Sequence, residues 1–339
     1  MLRFALFGAG RIGRMHARNL AAHPRVDLAG IYDINSAAST EVAHEVGTQP
    51  SRTIGALLGD ASIDAVLIAT STDTHCSLIE HSVRAGKAVL CEKPIHLDIE
   101  RVDHCWDVVS ATDRPVQIGF NRRFDPSHSA LRSAIKSGAI GKLEQGVITS
   151  RDPAPPPFEY IRVSGGIFRD MAIHDFDMAR YLFGEEPVEI YATGSVLVDK
   201  KVAWADDLDS VMVVMRMESG ALCHINCSRR CAYGYDQRIE VFGEKGMLLS
   251  DNPTSTSVSL HTAASTAARA RLHHFFIERY AESYIREIDA FVDAVESDTP
   301  PSPSFEDGRR ALVVANSAIE AAKTGKTVQV PAPSPSSGT

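Results

Sequence analysis

Phe7-Gly8-Ala9-Gly10-Arg11-Ile12-Gly13 is the stretch on which the fold of this chain turns. It follows a short apolar run, residues 3–7, and opens a helical pattern over 14–22, so a G-x-G-x-x-G spacing falls where a strand hands over to a helix. Each glycine has a mechanical task. Gly8 makes the tight turn, Gly10 lets the backbone approach a pyrophosphate, and Gly13 lets helix and strand pack closely. The helix start, Arg11 and Ile12 included, offers free N–H groups and a partial positive charge to phosphates. Asp33 follows Gly13 by twenty residues and ends the next apolar run, where a carboxylate can accept hydrogen bonds from an adenosine ribose. A carboxylate there repels a 2′-phosphate, and Ile34 and Asn35 supply no cation to hold one. The expected cofactor is therefore NAD rather than NADP, with Arg11 and Arg14 the two cations able to swing toward the adenosine.

Outward from this motif, apolar runs at 3–7, 26–32, 65–69, 88–91 and 116–118 alternate with helical patterns such as 14–22, 37–46 and 78–85. Strand, helix, strand repeated predicts a doubly wound parallel sheet, the Rossmann arrangement, with right-handed crossovers. Beyond about Asn121 the pattern changes to longer alternating strands at 143–151, 188–198, 210–217, 221–227, 238–242 and 247–250. Short turns such as Glu218-Ser219-Gly220 join them, so an α+β domain with a large, mostly antiparallel open sheet is expected. Helices are expected at 167–183, 281–296 and 308–323, while Pro153-Ala154-Pro155-Pro156-Pro157 must be extended loop. The predicted division is an NAD-binding domain over 1–120, an α+β domain over 121–330, and a flexible Pro/Ser-rich tail over 331–339.

The composition excludes several classes. A length of 339 residues with 44% hydrophobic and 23% charged residues is enough to bury the cores of two domains. The 43 acidic residues against 35 Lys and Arg leave a net charge of −8, which on average repels a nucleic-acid backbone. No apolar run approaches the ~20 residues of a membrane span, and the apolar N-terminal run is too short for a signal-peptide core, so a cytoplasmic protein is expected. The six cysteines are scattered as free thiols would be, and Cys223, Cys227 and Cys231 lie on or beside a predicted strand without a His pair to complete a metal site.

Two further segments carry chemistry. Glu92-Lys93-Pro94 places Lys93 just past a parallel strand's C-terminal end, the rim where doubly wound sheets bind ligands. The run Gly165-Gly166-Ile167-Phe168-Arg169-Asp170-Met171-Ala172-Ile173-His174-Asp175-Phe176-Asp177, read as one helix, sets Asp170, His174 and Asp177 at i, i+4 and i+7 on one face. A carboxylate one turn from an imidazole can orient it and stabilise its protonated form. The same three side chains also admit a metal site, which would need a fourth ligand from a distant segment; no metal is expected.

With these residues in view, the chain resembles the glucose-fructose oxidoreductase/inositol dehydrogenase family along essentially its whole length. The carrying segments are the glycine motif, Thr72-Asp73-Thr74-His75, Glu92-Lys93-Pro94, Gly119-Phe120-Asn121-Arg122-Arg123-Phe124-Asp125, the run from Gly165 to Asp177, and Tyr233-Gly234-Tyr235-Asp236-Gln237-Arg238. The resemblance implies a catalytic trio of Lys93, Asp170 and His174, with Arg123, Asp177 and Tyr235 among the polyol contacts and Tyr233 a weaker candidate. It places Thr70, Ser71, Thr72, His75, Glu92 and Lys93 along the cofactor beside the glycine motif. It also implies that the domain over 121–330 is the substrate-binding and oligomerisation domain, assembling through the open sheet, often to a tetramer. Ser71 stands where the family often has Pro, and His96 where a smaller or acidic residue is common.

Oxidation of a secondary alcohol needs a base for the hydroxyl proton while carbon gives hydride to the nicotinamide. An imidazole, ordinarily titrating near ~6.5, suits that task, so His174 is the expected base. Asp170 would orient it, and Lys93 would stabilise the developing alkoxide; a neutral Lys93 acting as base remains the alternative. The expected reaction is conversion of myo-inositol to its 2-keto product with NAD. Oxidation of another cyclic polyol or sugar, an NAD-sensing regulator without catalysis, and a metal hydrolase are the competing readings.

Overall fold

The structure, a computed structural model, describes residues 1–333. Its N-terminal sheet consists of β1 (Leu2–Phe7), β2 (Val26–Tyr32), β3 (Ala65–Ile68), β4 (Ala88–Glu92) and β5 (Val116–Gly119) in the order β2-β1-β3-β4-β5. Every pair is parallel. The crossovers hold α1 (Arg11–Ala22), α2 (Ser36–Val46), α3 (Ile54–Leu58), α4 (Thr72–Arg84) and α5 (Ile99–Val109). β3 is buried at all four positions, as a parallel strand covered on both faces must be. The order turns around between β1 and β3, the switch point beside which such sheets hold their ligands.

The second unit begins at Arg122. It contains α6 (Pro126–Lys136), β6 (Leu143–Arg151), α7 (Phe158–Ile161), α8 (Gly166–Asp170), α9 (Ile173–Phe183), β7 (Pro187–Ser195), β8 (Ser210–Met217), β9 (Leu222–Ser228), β10 (Asp236–Gly243) and β11 (Gly246–Ser250). A two-stranded ribbon, β12 (Ser259–Leu260) with β13 (Ala268–Arg269), precedes α10 (Phe276–Arg279), α11 (Ala281–Glu296), α12 (Phe305–Thr324) and β14 (Val328–Gln329). The large sheet has seven strands in the order β11-β10-β6-β9-β8-β7-β14, antiparallel throughout except for β6 with β9. On β8 burial alternates residue by residue, so one face is core and the other is open. That open face carries many apolar side chains: Tyr191, Met212, Val214, Leu222, Phe242 and Leu249 are exposed on its strands, beside the Arg216–Glu189 ion pair and Glu240.

The two units divide differently from the sequence expectation. Residues Ser283–Leu312, expected in the second domain, belong to the first, which is therefore Met1–Asn121 plus this returning segment. The reason lies in the apolar face of α11, where Ile288, Phe291 and Val292 are fully buried in one cluster with Phe4, Leu6, Ile31, Leu67 and Leu90. The Phe4 and Phe291 rings meet edge to face at 5.9 Å. Of the expected tail 331–339, residues 334–339 lie outside the described residues.

Candidate active site

In the first unit the glycine motif does what its spacing requires. Gly8 has φ +102°, and a Cβ there would stand 2.3 Å from the Ala69 carbonyl oxygen at the end of β3; one on Gly13 would stand 2.0 Å from the Gly8 carbonyl oxygen. A Cβ on Gly10 meets nothing within 4 Å, so the open side of the turn is at Gly10, where a pyrophosphate needs room. Gly10 is also the N-cap of α1, and no side chain caps that helix, leaving its first N–H groups to a ligand. Arg11 is exposed and Ile12 half-buried at this helix start.

Asp33 is locked to the motif. Its Oδ2 accepts the Ala9 N–H at 2.6 Å and its Oδ1 the Asn35 N–H at 2.7 Å, so the carboxylate is held at the edge of the glycine turn with lone pairs left for a ribose. Ile34 is 94% exposed, and the Asn35 side chain caps α2. Arg14 is engaged by Glu41 at 2.7 Å and Glu45 at 2.9 Å, which occupies one of the two cations that a 2′-phosphate would require. These features fit NAD.

Thr70, Ser71 and Thr72 follow β3 and open α4; Thr70 Oγ1 lies 2.7 Å from Thr74 Oγ1, and Ser71 is exposed. His75 is only 1% exposed, with its ring nitrogens 2.8 Å from the Pro94 carbonyl and 3.1 Å from the Thr70 carbonyl. It staples the loop after β3 to the loop after β4, and burial lowers its pKa, favouring the neutral ring. Glu92 ends β4 and accepts a 2.7 Å hydrogen bond from His16 Nε2 on α1. Lys93 is half-buried and joined to Pro94 by a cis peptide bond.

In the second unit the expected single helix over 167–183 is two. Met171 N and Ala172 N both donate to the Ile167 carbonyl, at 3.0 and 2.9 Å, which adds a residue to the turn and ends α8 at Asp170 before α9 starts at Ile173. The i, i+4 spacing of Asp170 and His174 is thus not one regular turn. Asp170 accepts from Tyr160 Oη at 2.9 Å and from Arg229 Nη1 at 3.2 Å. From Met171 to Ala179, His174 is the one residue that is not buried. Along this otherwise core-facing segment, only the imidazole reaches a surface.

Arg123 and Asp177, expected at the substrate, are both buried and form a bidentate pair, Nε to Oδ2 at 2.8 Å and Nη2 to Oδ1 at 2.5 Å. The preceding residue repeats the theme: Arg122 donates to Asp175 at 2.6 Å, and Ser150 and Cys227 complete the Asp175 shell. The two pairs clamp the 3-10 turn Asn121–Phe124 onto α9 on either side of the residues following His174. Tyr235 is 4% exposed and packs edge-on against Tyr280 at 6.0 Å; burial pushes its hydroxyl pKa far up. Tyr233 is half exposed and donates to Asp236 at 2.7 Å.

Sequence reasoning missed Arg229, Tyr160 and Asp152. Arg229 is 1% exposed and faces Asp170 and Asp207, and Asp152, beside the proline run, has its carboxyl pushed up to about 6 by burial. The Arg151-Asp152 pair at the start of a proline run was the available signal for the last of these. Asp170 and His174 belong to the second unit and Lys93 to the first.

Residues 2–120 match an oxidoreductase family with an NAD-binding Rossmann fold, and residues 128–249 match the GFO/IDH/MocA C-terminal domain. An inositol 2-dehydrogenase from Rhizobium meliloti strain 1021 is 48% identical over 329 residues, 97% of this chain and 99% of that protein. The crystal structure of a myo-inositol dehydrogenase from Corynebacterium glutamicum ATCC 13032 matches with a TM-score of 0.94 at 44% identity, covering 98% of this chain and 100% of that one. A scyllo-inositol dehydrogenase from Lactobacillus casei, solved with NAD(H) and scyllo-inositol bound, matches with a TM-score of 0.90 at 29% identity over 97% of this chain and 99% of that one.

Proposed function

The chain belongs to the Gfo/Idh/MocA family of NAD-dependent oxidoreductases, and from that premise we propose that it oxidises myo-inositol at its axial hydroxyl to 2-keto-myo-inositol, in the catabolism of the polyol. The observation that carries the substrate assignment is the 48% identity to an inositol 2-dehydrogenase along nearly the full length of both chains.

NAD, held at the glycine turn and Asp33, would supply the hydride acceptor. His174 takes the hydroxyl proton, being a half-buried imidazole on a segment whose other side chains are core. Asp170, fixed by Tyr160 and Arg229, presents a carboxylate that orients the imidazole and stabilises its charged form. Lys93 donates to the same oxygen and stabilises the alkoxide as it develops. With hydride passed to that acceptor, the hydroxyl proton would rest on His174 and the product would be a ketone. Arg123, Asp177 and Tyr235 are so deeply buried that they offer a polyol small surfaces, with Asp177 held rigid by Arg123; a rigid acceptor suits discrimination among hydroxyl stereoisomers.

The apolar side chains on the open face of the seven-stranded sheet support self-association, and a homotetramer in the cytoplasm completes the reading. No helix among the described residues is long and apolar enough to cross a membrane. NADH formation followed across myo-, scyllo- and D-chiro-inositol and glucose tests the proposal. Highest kcat/KM with myo-inositol is expected; preference for another isomer reassigns the substrate, and no turnover with any polyol refutes the dehydrogenase and favours a cofactor-sensing role.

A further inference from the structure

One charged cluster in the first unit joins Glu92, expected along the cofactor, to two residues with no role assigned so far. His16 on α1, Glu92 at the end of β4 and Glu287 on α11 present ligand atoms that all lie within 4.8 Å of one another. Glu287 is fully buried, and among the described residues neither of its carboxylate oxygens has a hydrogen-bond donor. His16 is also buried, with its ring edge-on to Tyr284 at 5.6 Å and its Nε2 donating to Glu92 Oε1 at 2.7 Å. Glu92 Oε2 lies 3.0 Å from where a Gly119 Cβ would be, so the carboxylate fills the space that this glycine leaves on β5. The backbone of Glu287 is anchored too, its carbonyl accepting from Gln117 Nε2 at 3.2 Å.

Two carboxylates so close together, Glu287 fully buried and Glu92 mostly so, would carry two negative charges with a single N–H donor between them. Burial makes such an arrangement very costly unless a proton or a cation is added. The 2.7 Å separation of His16 Nε2 and Glu92 Oε1 is that of a hydrogen bond, which favours the proton. We propose that Glu287 carries a proton, which removes the like-charge repulsion on Glu92, and that Glu287 is thereby a positioning residue for Lys93: it keeps Glu92 fixed between α1 and β5, and with it the backbone that carries Lys93. The groups that face this pair are His16 from α1, Cys91 from β4, Tyr284 from α11, Gln117 from β5 and, at longer range, His75 from α4. Of these, only the imidazoles of His16 and His75 can bring a positive charge, and burial lowers the His75 pKa. Burial and the Glu92 charge both raise the Glu287 pKa, the direction a resident proton requires.

The kinetic arm of the test rests on the dehydrogenase reading; the spectroscopic arm needs no substrate and so fails independently of it. Infrared difference spectra of the whole protein at neutral pH should show a protonated-carboxyl stretch that E287Q lacks. Gln reproduces the neutral acid and its donor, so E287Q should keep turnover within about twofold of wild type, while E287L, which removes the donor, should lose about tenfold or more in kcat/KM. On the alkaline side wild type should decline as Glu287 ionises and E287Q should not. Absence of the stretch, E287Q as damaging as E287L, or loss of activity to a chelator with stoichiometric metal in the purified protein would each overturn the proposal. Should E287L fail to fold, the spectrum and the alkaline limb of E287Q still decide.

Discussion

Replacing Asp33 tests the cofactor end most directly, because its two oxygens have separate tasks. Oδ2 holds the Ala9 N–H inside the glycine turn and Oδ1 holds the Asn35 N–H at the start of α2. A hydrogen bond to a charged group is worth about 1.5–3 kcal/mol, and at a half-buried site water recovers part of it, so the lower figure applies to each. D33A loses both, about 3 kcal/mol from the turn's own stability, and it also removes the ribose acceptor, which by itself weakens NAD binding by about 1.5–3 kcal/mol, or about ten- to a hundredfold in Kd. D33N keeps one acceptor oxygen and should lose about tenfold. Calorimetric or fluorescence titration with NAD and NADP measures both, with circular dichroism confirming the fold. Removing the charge should also relieve NADP of repulsion, yet Arg14 stays engaged by Glu41 and Glu45, so neither variant should come to prefer NADP. NAD affinity within threefold of wild type in D33A, or strong NADP preference in D33N, would refute this account.

Other substitutions separate chemistry from architecture. H174N should lower kcat by about a hundredfold or more while leaving NAD affinity nearly unchanged; unaltered kcat would move the base to Lys93. F291A should cost about 3–5 kcal/mol in urea unfolding, since the ring is fully buried against Phe4. The Asp152 carboxyl is pushed up to about 6 from 3.8 by burial, so its contribution to stability is full below its unfolded value and is lost as pH rises through about 6. D152N should therefore flatten the fall in urea midpoint between pH ~4 and ~7, and an unchanged slope would deny Asp152 that role. If the proposed self-association runs through the open face of the sheet, V214E should leave a monomer in sedimentation velocity with little change in urea midpoint, and an unchanged sedimentation coefficient would deny that face the role.

Much of this molecule could be read from its residues. Gly8, Gly10 and Gly13 differ in what a Cβ would meet, and the differences follow from the spacing alone, because backbone geometry at a strand–turn–helix junction is local. The alternation along β8 likewise predicted its two faces. What stayed hidden depends on partners far apart in sequence. An amphipathic helix such as α11 carries no address, and only the packed structure shows that Phe291 completes the core around Phe4. Arg123 and Asp177 have the chemistry of polyol ligands, and their mutual pairing across fifty-four positions leaves no mark in the sequence. The break between α8 and α9 contains neither Pro nor an internal Gly, so nothing in Met171-Ala172 announced it.

The return of Ser283–Leu312 to the first unit bears on how the chain is made. A ribosome that has released only residues 1–121 has supplied all five parallel strands but not Ile288, Phe291 or Val292, leaving the apolar flank that they cover facing water. The nucleotide-binding half can be finished only after the whole of the sheet from β6 to β11 has emerged. For that interval the nascent chain presents an unsealed hydrophobic surface, the kind of client that chaperones shield, and a segment translated late closes the part translated first.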